Sequence, residues 1–202
     1  MTSLPRARHW LVGAAAIALI AGCSSEPEAL PPPDRSAVPS HIDAVASDPA
    51  VAPAEPTAIE LRSPAGETYL SSPLNPEKLM RVGQRLNPVN ELPVWWGESG
   101  LPGTDTKETV LVAGHNYSKR VAPFRALRVV QPGDAVLLRT PNGVLRYTVE
   151  RTTPLPKGSL LSQNELRDHV PGRLILANCD VVDGEPTDNN YLVIAQLDRP
   201  AN

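Results

Sequence analysis

Cysteine is scarce in this 202-residue chain, which holds one at position 23 and one at position 179. Two thiols so far apart do not make the CxxC pairs of structural zinc sites. The four histidines, at positions 9, 41, 115 and 169, also lack the HxxxH spacing that places two imidazoles on one face of a helix. The sequence therefore predicts no metal site.

A strong positive charge is also lacking. The formal net charge is −3, so general electrostatic binding to nucleic acid phosphates is not expected. No apolar run reaches the roughly 20 residues of a membrane-spanning helix. Hydrophobic residues make up 41% of the chain while proline is abundant, at 23 residues, which predicts that part of the chain is not packed.

The chain begins with two arginines, Arg6 and Arg8, followed by the short apolar run WLVGAAAIALIAG. This arrangement is typical of a secretory signal peptide, predicted here over residues 1–22. The sequence Ile-Ala-Gly-Cys that ends at Cys23 resembles the bacterial lipobox, in which the cysteine is lipid-modified and becomes the first mature residue. Acyl chains on Cys23 would hold the protein on the outer face of the membrane. The alternative is an ordinary signal peptide with an incidental cysteine.

The stretch that follows Cys23 is rich in Pro, Ala, Ser and acidic residues and holds no aromatic residue up to position 56. Such a composition cannot bury enough apolar surface to pack, and it is typical of an extended tether. We therefore predict a lipid-anchored, disordered linker over residues 23–56 and a folded domain over residues 57–199.

The predicted domain consists of short apolar or alternating runs separated by turn signals. Pro-Gly-Asp and Asn-Gly turns flank one of these runs. Short helical turns are predicted within residues 75–92, in APFRALRVV and in NELRDHV. The sequence thus predicts a mostly-β barrel, with strands that include AIELRS, TVLVAGH, RLILANC and NYLVIAQL.

Two of the predicted strands end in reactive side chains, His115 and Cys179. Strands that end at one rim of a barrel bring such groups together, and an imidazole beside a thiol stabilises the thiolate and protonates a leaving amine. With Cys23 lipid-modified, Cys179 is the single free thiol of an exported protein, which favours a reactive role. The alternatives are an inert buried Cys179 and a competing partner, His169.

The order of these pieces resembles the sortase family, and within it the class F and related class E sortases. The matching pieces extend over about residues 57–198, and they are TVLVAGHNY, APFRALRVVQPGDAVLL, GVLRYTVE and RLILANC. The resemblance implies a closed barrel of about eight strands with short helices. It also implies a cysteine transpeptidase in which Cys179 is the nucleophile and His115 the catalytic histidine.

The resemblance further implies the substrates. The cysteine of a sortase attacks the Thr–Gly bond of an LPxTG-like sorting signal, forms a thioester, and passes the acyl group to an amine of the cell wall or to water. We therefore expect a peptide substrate, an amine acceptor, no cofactor, no nucleic acid, and a location at the extracytoplasmic face of the bacterial membrane through the lipid on Cys23.

The chain departs from the family pattern at two positions. Asn178 precedes the cysteine where the family has threonine, and Asn190, or else Asn189, stands on the last strand where the family has arginine. We assign Asn190 as an oxyanion or orienting donor, with Asn178 as support. An asparagine donates hydrogen bonds but carries no charge, and an arginine from elsewhere, such as Arg120 or Arg81, is the other source of charge.

Two further functions remain open on sequence grounds. A catalytically impaired sortase-fold module that binds envelope peptides would explain the missing arginine. A structural lipoprotein without any site would need Cys179 to be unreactive toward thiol reagents.

Overall fold

The computed structural model describes residues 50–83 and 86–198, which fold mainly into one curled eight-stranded sheet. Helical structure in this part of the chain consists of 3-10 helices at Pro123–Val129 and Leu160–Ser162 and of one α-helix, α1 (Asn164–Arg167). The prediction of a mostly-β fold with about eight strands and short helices is confirmed. The strands are β1 (Ala58–Arg62), β2 (Thr68–Pro73), β3 (Val94–Trp95), β4 (Val110–Ala113), β5 (Ala135–Thr140), β6 (Gly143–Pro156), β7 (Arg173–Val182) and β8 (Glu185–Leu197).

The sheet has the strand order β2-β1-β5-β6-β8-β7-β4-β3. Its neighbours are antiparallel except for β4 and β7, which run parallel. Beyond the edge strands, the backbone amide of Asn75 donates to the carbonyl of Pro93 at 2.8 Å. The two edges of the curled sheet therefore meet near this hydrogen bond.

Apolar residues cover both faces of the central strands, and they form two clusters. The large core contains Leu174 and Leu176 of β7 together with Phe124 of the first 3-10 helix. The small core contains Ile175 and Ala177, which point to the opposite face because side chains alternate along a strand. A strand buried on both sides reads as the continuous apolar run LILA rather than as an alternation.

The N-terminal part of the described chain packs against the domain. Val51 is 2% exposed and belongs to the large core, and its amide donates to Oγ1 of Thr104 at 2.8 Å. The amide of Ala54 donates to the carbonyl of Pro102 at 3.1 Å. The linker predicted to extend to position 56 is therefore packed from Val51 onward, because these few residues find apolar contacts and hydrogen bonds that their composition does not reveal.

The helix expected within residues 75–92 is wrong for the described part of that segment, which holds only turns and bridges. Pro76 and Pro88 have no amide hydrogen to donate. Leu79 forms a bridge with Trp96, and its amide donates to the carbonyl of Trp95 at 2.8 Å. Pairing with the chain around β3 thus replaces helical hydrogen bonds.

Within the described residues, we find no helix long and apolar enough to cross a membrane. The predicted signal peptide, residues 1–22, and the predicted lipidation site Cys23 lie outside these residues.

Candidate active site

The parallel pair β4 and β7 positions His115 and Cys179. Ala113 pairs with Ala177 in this ladder, and the amide of Gly114 donates to the carbonyl of Ala177 at 3.0 Å. His115 and Cys179 each lie two residues beyond this paired position, so both follow the carboxyl ends of adjacent strands. Because side chains alternate along a strand, His115 and Cys179 lie on the same face as Ala113 and Ala177 of the small core. Both side chains are partly exposed.

One groove of about 630 Å³ contains both residues. Its walls come from the ends of β4 and β7, from β8, from the segment after β6 and from the segment before β3. The lining residues are Val82, Leu86, Asn87, Pro88, Ala113, Gly114, His115, Lys157, Gly158, Leu160, Leu161, Ala177, Asn178, Cys179 and Asn190.

The segment between β6 and β7 forms an apolar wall of this groove. Leu160 and Leu161 of the second 3-10 helix are buried in the small core while they line the groove. Gly158 begins this turn with a φ of 83°, a left-handed conformation that a residue with a side chain adopts only under strain. This segment therefore contributes apolar surface to the groove.

The imidazole of His115 is fixed from two directions. Its Nε2 lies 2.8 Å from the carbonyl oxygen of Pro88, and since a carbonyl only accepts, Nε2 carries the hydrogen in this arrangement. The ring of Tyr117 stacks on the imidazole with 4.9 Å between the ring centroids. Nδ1 is therefore the nitrogen left to exchange a proton in the groove.

Two charged residues support Tyr117 in turn. The guanidinium of Arg120 lies 3.8 Å from the centre of the Tyr117 ring and pairs with Glu91 at 3.0 Å. Burial and the hydrogen bond with Glu91 raise the pKa of Tyr117, and the positive charge of Arg120 partly opposes this. Tyr117 is therefore a neutral phenol at neutral pH, with an uncharged ring against His115.

Cys179 and Asn190 face each other across β7 and β8. They form a direct pair in the antiparallel ladder, and both line the groove. Nδ2 of Asn190 donates to the backbone carbonyl of Asn178 at 3.0 Å, which leaves the second hydrogen of this amide for another acceptor. The predicted donor thus lies beside the predicted nucleophile.

The side chain of Asn178 makes a different contact. Asn178 is 2% exposed, and its Nδ2 donates to the carbonyl of Phe124 at 2.6 Å. This hydrogen bond joins β7 to the first 3-10 helix on the large-core side.

The other candidate groups lie outside the groove. His169, 79% exposed at its side chain, lies 3.7 Å from Glu108 beside a second cavity of about 280 Å³. Arg81 pairs with Glu98 at 3.0 Å. Arg120 contacts the ring of Tyr117, which in turn stacks on His115.

Two residues that the sequence patterns did not single out belong to this region. Tyr117 follows His115 by two residues, and its proximity in the sequence was the available signal. Lys157 lines the groove from the turn that follows β6, and only the pairing of β6 with β8 reveals its position.

The arrangement has the groups needed for acyl transfer through sulfur. A partly exposed thiol and an oriented imidazole share an open groove, with an amide donor next to the thiol. A thiolate attacks an acyl group, the imidazole moves protons, and the donor binds the developing oxyanion.

Comparisons with known proteins agree on one family. The family model described as "Sortase: Sortase domain" matches residues 74–198. Among solved structures, sortase C1 of Streptococcus agalactiae in complex with MTSET has a TM-score of 0.50 at 15% identity, with 71% of this chain and 68% of that chain covered. This similarity shows the fold alone.

Two further solved structures are similar to the chain at lower TM-scores. Sortase C-1 of Actinomyces oris is 19% identical, with 69% of this chain and 72% of that chain covered and a TM-score of 0.49. A lid mutant of sortase A from Corynebacterium diphtheriae is 17% identical, with 71% and 72% covered and a TM-score of 0.47. No curated protein sequence matches the chain.

Proposed function

The chain belongs to the sortase family, and we propose that it is an extracytoplasmic cysteine transpeptidase of the class F or related class E type. Cys179 acts as the nucleophile and His115 as the general acid and base. The observation that carries the proposal is the register of β4 and β7, which brings both residues to one groove at the same distance beyond Ala113 and Ala177.

The first half-reaction forms a thioester. The Cys179 thiolate adds to the carbonyl carbon of the peptide, a C–S bond forms, and the carbonyl electron pair moves to oxygen. The intermediate then collapses, the C–N bond breaks, and the imidazolium of His115 gives its proton to the leaving amine. The amide hydrogen of Asn190 that is not bound to Asn178 is the proposed donor to the oxyanion.

The second half-reaction releases the product. An acceptor amine attacks the thioester carbon while His115 takes a proton from the amine nitrogen, and the C–S bond breaks to regenerate the Cys179 thiolate. Water in place of the amine gives hydrolysis. The proposed cycle uses Cys179, His115 and Asn190 and needs no cofactor.

The proposed donor substrate is an LPxTG-like sorting signal, cleaved between Thr and Gly. Support comes from the family membership and from the apolar wall of Leu160 and Leu161, which suits an apolar substrate side chain. We further propose that lipid on Cys23 holds the enzyme at the outer face of the membrane, and that residues 1–22 are removed as a signal peptide. The acceptor is an amine of the cell wall.

The test uses fluorogenic LPxTG-type peptides with and without an amine acceptor. We expect wild-type protein to cleave at least one peptide and to form a thioester detectable by mass spectrometry. Cys179→Ala removes both signals. Asp183→Ala, a change in the exposed turn between β7 and β8, is the matched control and leaves both intact. Cleavage that persists in Cys179→Ala, or no thioester with any peptide, would refute the proposal.

A second function is favoured by two observations. The residue paired with Cys179 is the neutral Asn190, and the His115 ring is held by the carbonyl of Pro88. A module that binds envelope peptides without turnover would show saturable peptide binding in both wild type and Cys179→Ala, with no acyl-enzyme in either.

A further inference from the structure

The tetrahedral intermediate of the proposed reaction carries a negative charge, and the charge of the groove decides how that intermediate is stabilised. Among the described residues that line the groove, Lys157 is the one lysine, and no arginine, aspartate or glutamate is among them. The other polar lining residues are asparagines, Cys179 and His115. A cation is worth more than a neutral donor to a developing oxyanion.

The strand ladder places Lys157 on the same face as the nucleophile. Cys179 pairs with Asn190, and Asn190 pairs with Leu155 of β6, so these three residues form one row across three strands. The amide of Lys157 donates to the carbonyl of Asp188 at 2.9 Å, which continues the pairing past the end of β6. Lys157 follows Leu155 by two residues and therefore points to the same face.

The spacing puts the ammonium within reach of a bound acyl group. Two strand separations place the Lys157 backbone about 10 Å across the sheet from Cys179, and two residues place it about 7 Å along the strand. The flexible four-carbon stem of lysine spans roughly half of this distance. The substrate carbonyl, attached to the sulfur atom, occupies the space between.

The ammonium of Lys157 is not neutralised in the described part of the chain. Nζ donates to the backbone carbonyl of Thr187, and none of the ion pairs among the described residues involves Lys157. A bond to one neutral carbonyl on an exposed side chain is easily exchanged for one to an anion, and two donor hydrogens remain on Nζ.

The arginines near the site form ion pairs with carboxylates outside the groove. Arg120 pairs with Glu91 and Arg81 with Glu98, each at 3.0 Å. Arg128 pairs with Asp180 at 3.2 Å and lies over the ring of Tyr191, a residue of the large core. None of the three lines the groove.

We propose that Lys157 is a catalytic residue whose ammonium stabilises the oxyanion formed on Cys179. It leaves the carbonyl of Thr187 when substrate binds and approaches the oxyanion from the β6 side, while the free amide hydrogen of Asn190 approaches from β8. This inference rests on the proposed acyl transfer and names the charge that Asn190 does not supply.

The kinetic test compares Lys157→Met, which keeps length without charge, with Lys157→Arg, which keeps charge. We expect Lys157→Met to lower kcat by about 10², the low end for loss of an oxyanion donor, with KM within about threefold of wild type. Lys157→Arg retains most of the rate. Asn190→Arg added to Lys157→Met restores part of it, because a cation then reaches the groove from the neighbouring strand.

Lys107→Met is the matched control, since Lys107 is exposed and lies outside the groove. It should leave kcat and KM at the wild-type values. A kcat of Lys157→Met within twofold of wild type, or a loss confined to KM, would overturn the inference even though Cys179-dependent cleavage remains.

A second readout does not depend on turnover. Cys179 in the full chain is alkylated with anionic iodoacetate or neutral iodoacetamide, and peptide mapping separates it from Cys23. The iodoacetate-to-iodoacetamide rate ratio should fall about threefold in Lys157→Met, as expected for one charge at about 6 Å in a water-like medium once the ammonium leaves Thr187 for the anionic reagent. The ratio should stay unchanged in Lys107→Met.

The kinetic and alkylation measurements distinguish a failure of the proposed function from a failure of the role of Lys157. Absence of Cys179-dependent cleavage in wild type together with a lower alkylation ratio in Lys157→Met refutes the proposed function while the groove charge stands. An unchanged alkylation ratio refutes the role of Lys157 whether or not the wild type is active.

Discussion

The two faces of strand β7 begin alike and end differently. On the large-core face, Leu174, Leu176 and Asn178 are all buried, and the last of them is bonded to Phe124. On the groove face, Ile175 and Ala177 are buried but Cys179 is partly exposed. The large-core face is therefore buried through Asn178 and Asp180, while the groove face opens at the residue that carries the chemistry.

This contrast has a physical basis in what covers each face. The first 3-10 helix, with Phe124 and Leu127 fully buried, covers the end of the large-core face. The groove face is covered by the short turn that carries Leu160 and Leu161 and is flanked by the segment before β3. A thin cover leaves room for substrate, and the thick cover on the other side holds the strand that presents the thiol.

The largest expected effect separates stability from activity on the two faces. Leu176→Ala deletes a side chain that is 0% exposed in the large core, and we expect the free energy of unfolding to fall by about 2–5 kcal/mol. Cys179→Ala removes a partly exposed thiol and should change that free energy by less than about 1 kcal/mol while it abolishes acyl-enzyme formation. Urea unfolding of both variants measures the difference.

A loss of stability in Cys179→Ala as large as that in Leu176→Ala would break the contrast. It would mean that the thiol is a packing element of the small core. The same result would favour a structural role for the cysteine over a catalytic one.

The second effect concerns pH and the large core. Burial raises the pKa of Tyr147 well above its usual value of 10, because the charged phenolate is excluded from an apolar interior. The contribution of buried Tyr147 to the free energy of unfolding is fully present below pH 10, where the phenol keeps its proton in both the folded and the unfolded state. It is lost as the pH rises further, because only the unfolded chain then releases the proton.

We expect the free energy of unfolding to fall by up to about 1.4 kcal/mol per pH unit above pH 10 from this group. Tyr147→Phe has no proton to release and should show a shallower decline over the same range. Urea titrations at several alkaline pH values measure both slopes. Equal slopes in wild type and Tyr147→Phe would show that Tyr147 does not limit alkaline stability.

The parts of the fold that sequence predicts are those set by local pattern. The run RLILANC predicts a doubly buried strand, and Asn142 with Gly143 predicts the turn between β5 and β6, since each signal lies within a few residues. In the described part of residues 75–92, helix is replaced by pairing of Leu79 with Trp96 beside β3, beyond the range of local propensity. Local propensity cannot reveal that pairing.

In the candidate site too, some residues are predicted from local sequence and others only from strand pairing. His115 and Cys179 stand out because each ends an apolar run, and their shared groove follows once β4 and β7 are parallel neighbours. Asn190 is found by counting along the last strand. Lys157 lies in an ordinary polar turn, and only the register of β6 against β8 places it in the groove. Long-range register is thus the information that the sequence alone lacks.

The smallest expected effect lies at the edge of the groove, where Tyr117 stacks on His115. Stacked aromatic rings are worth about 0.5–1.5 kcal/mol, so Tyr117→Leu should lower kcat/KM of the proposed reaction by roughly threefold to tenfold. Tyr117→Phe keeps the ring and loses the hydrogen bonds of the hydroxyl with Glu91 and Arg120, so it should stay near the wild-type rate. Because the ring contacts the imidazole, the Leu variant should also shift the pH profile of kcat/KM, whereas the Phe variant should keep it. A shared loss in both variants, with the profile unmoved, would assign Tyr117 to holding the loop through Glu91 rather than to positioning His115.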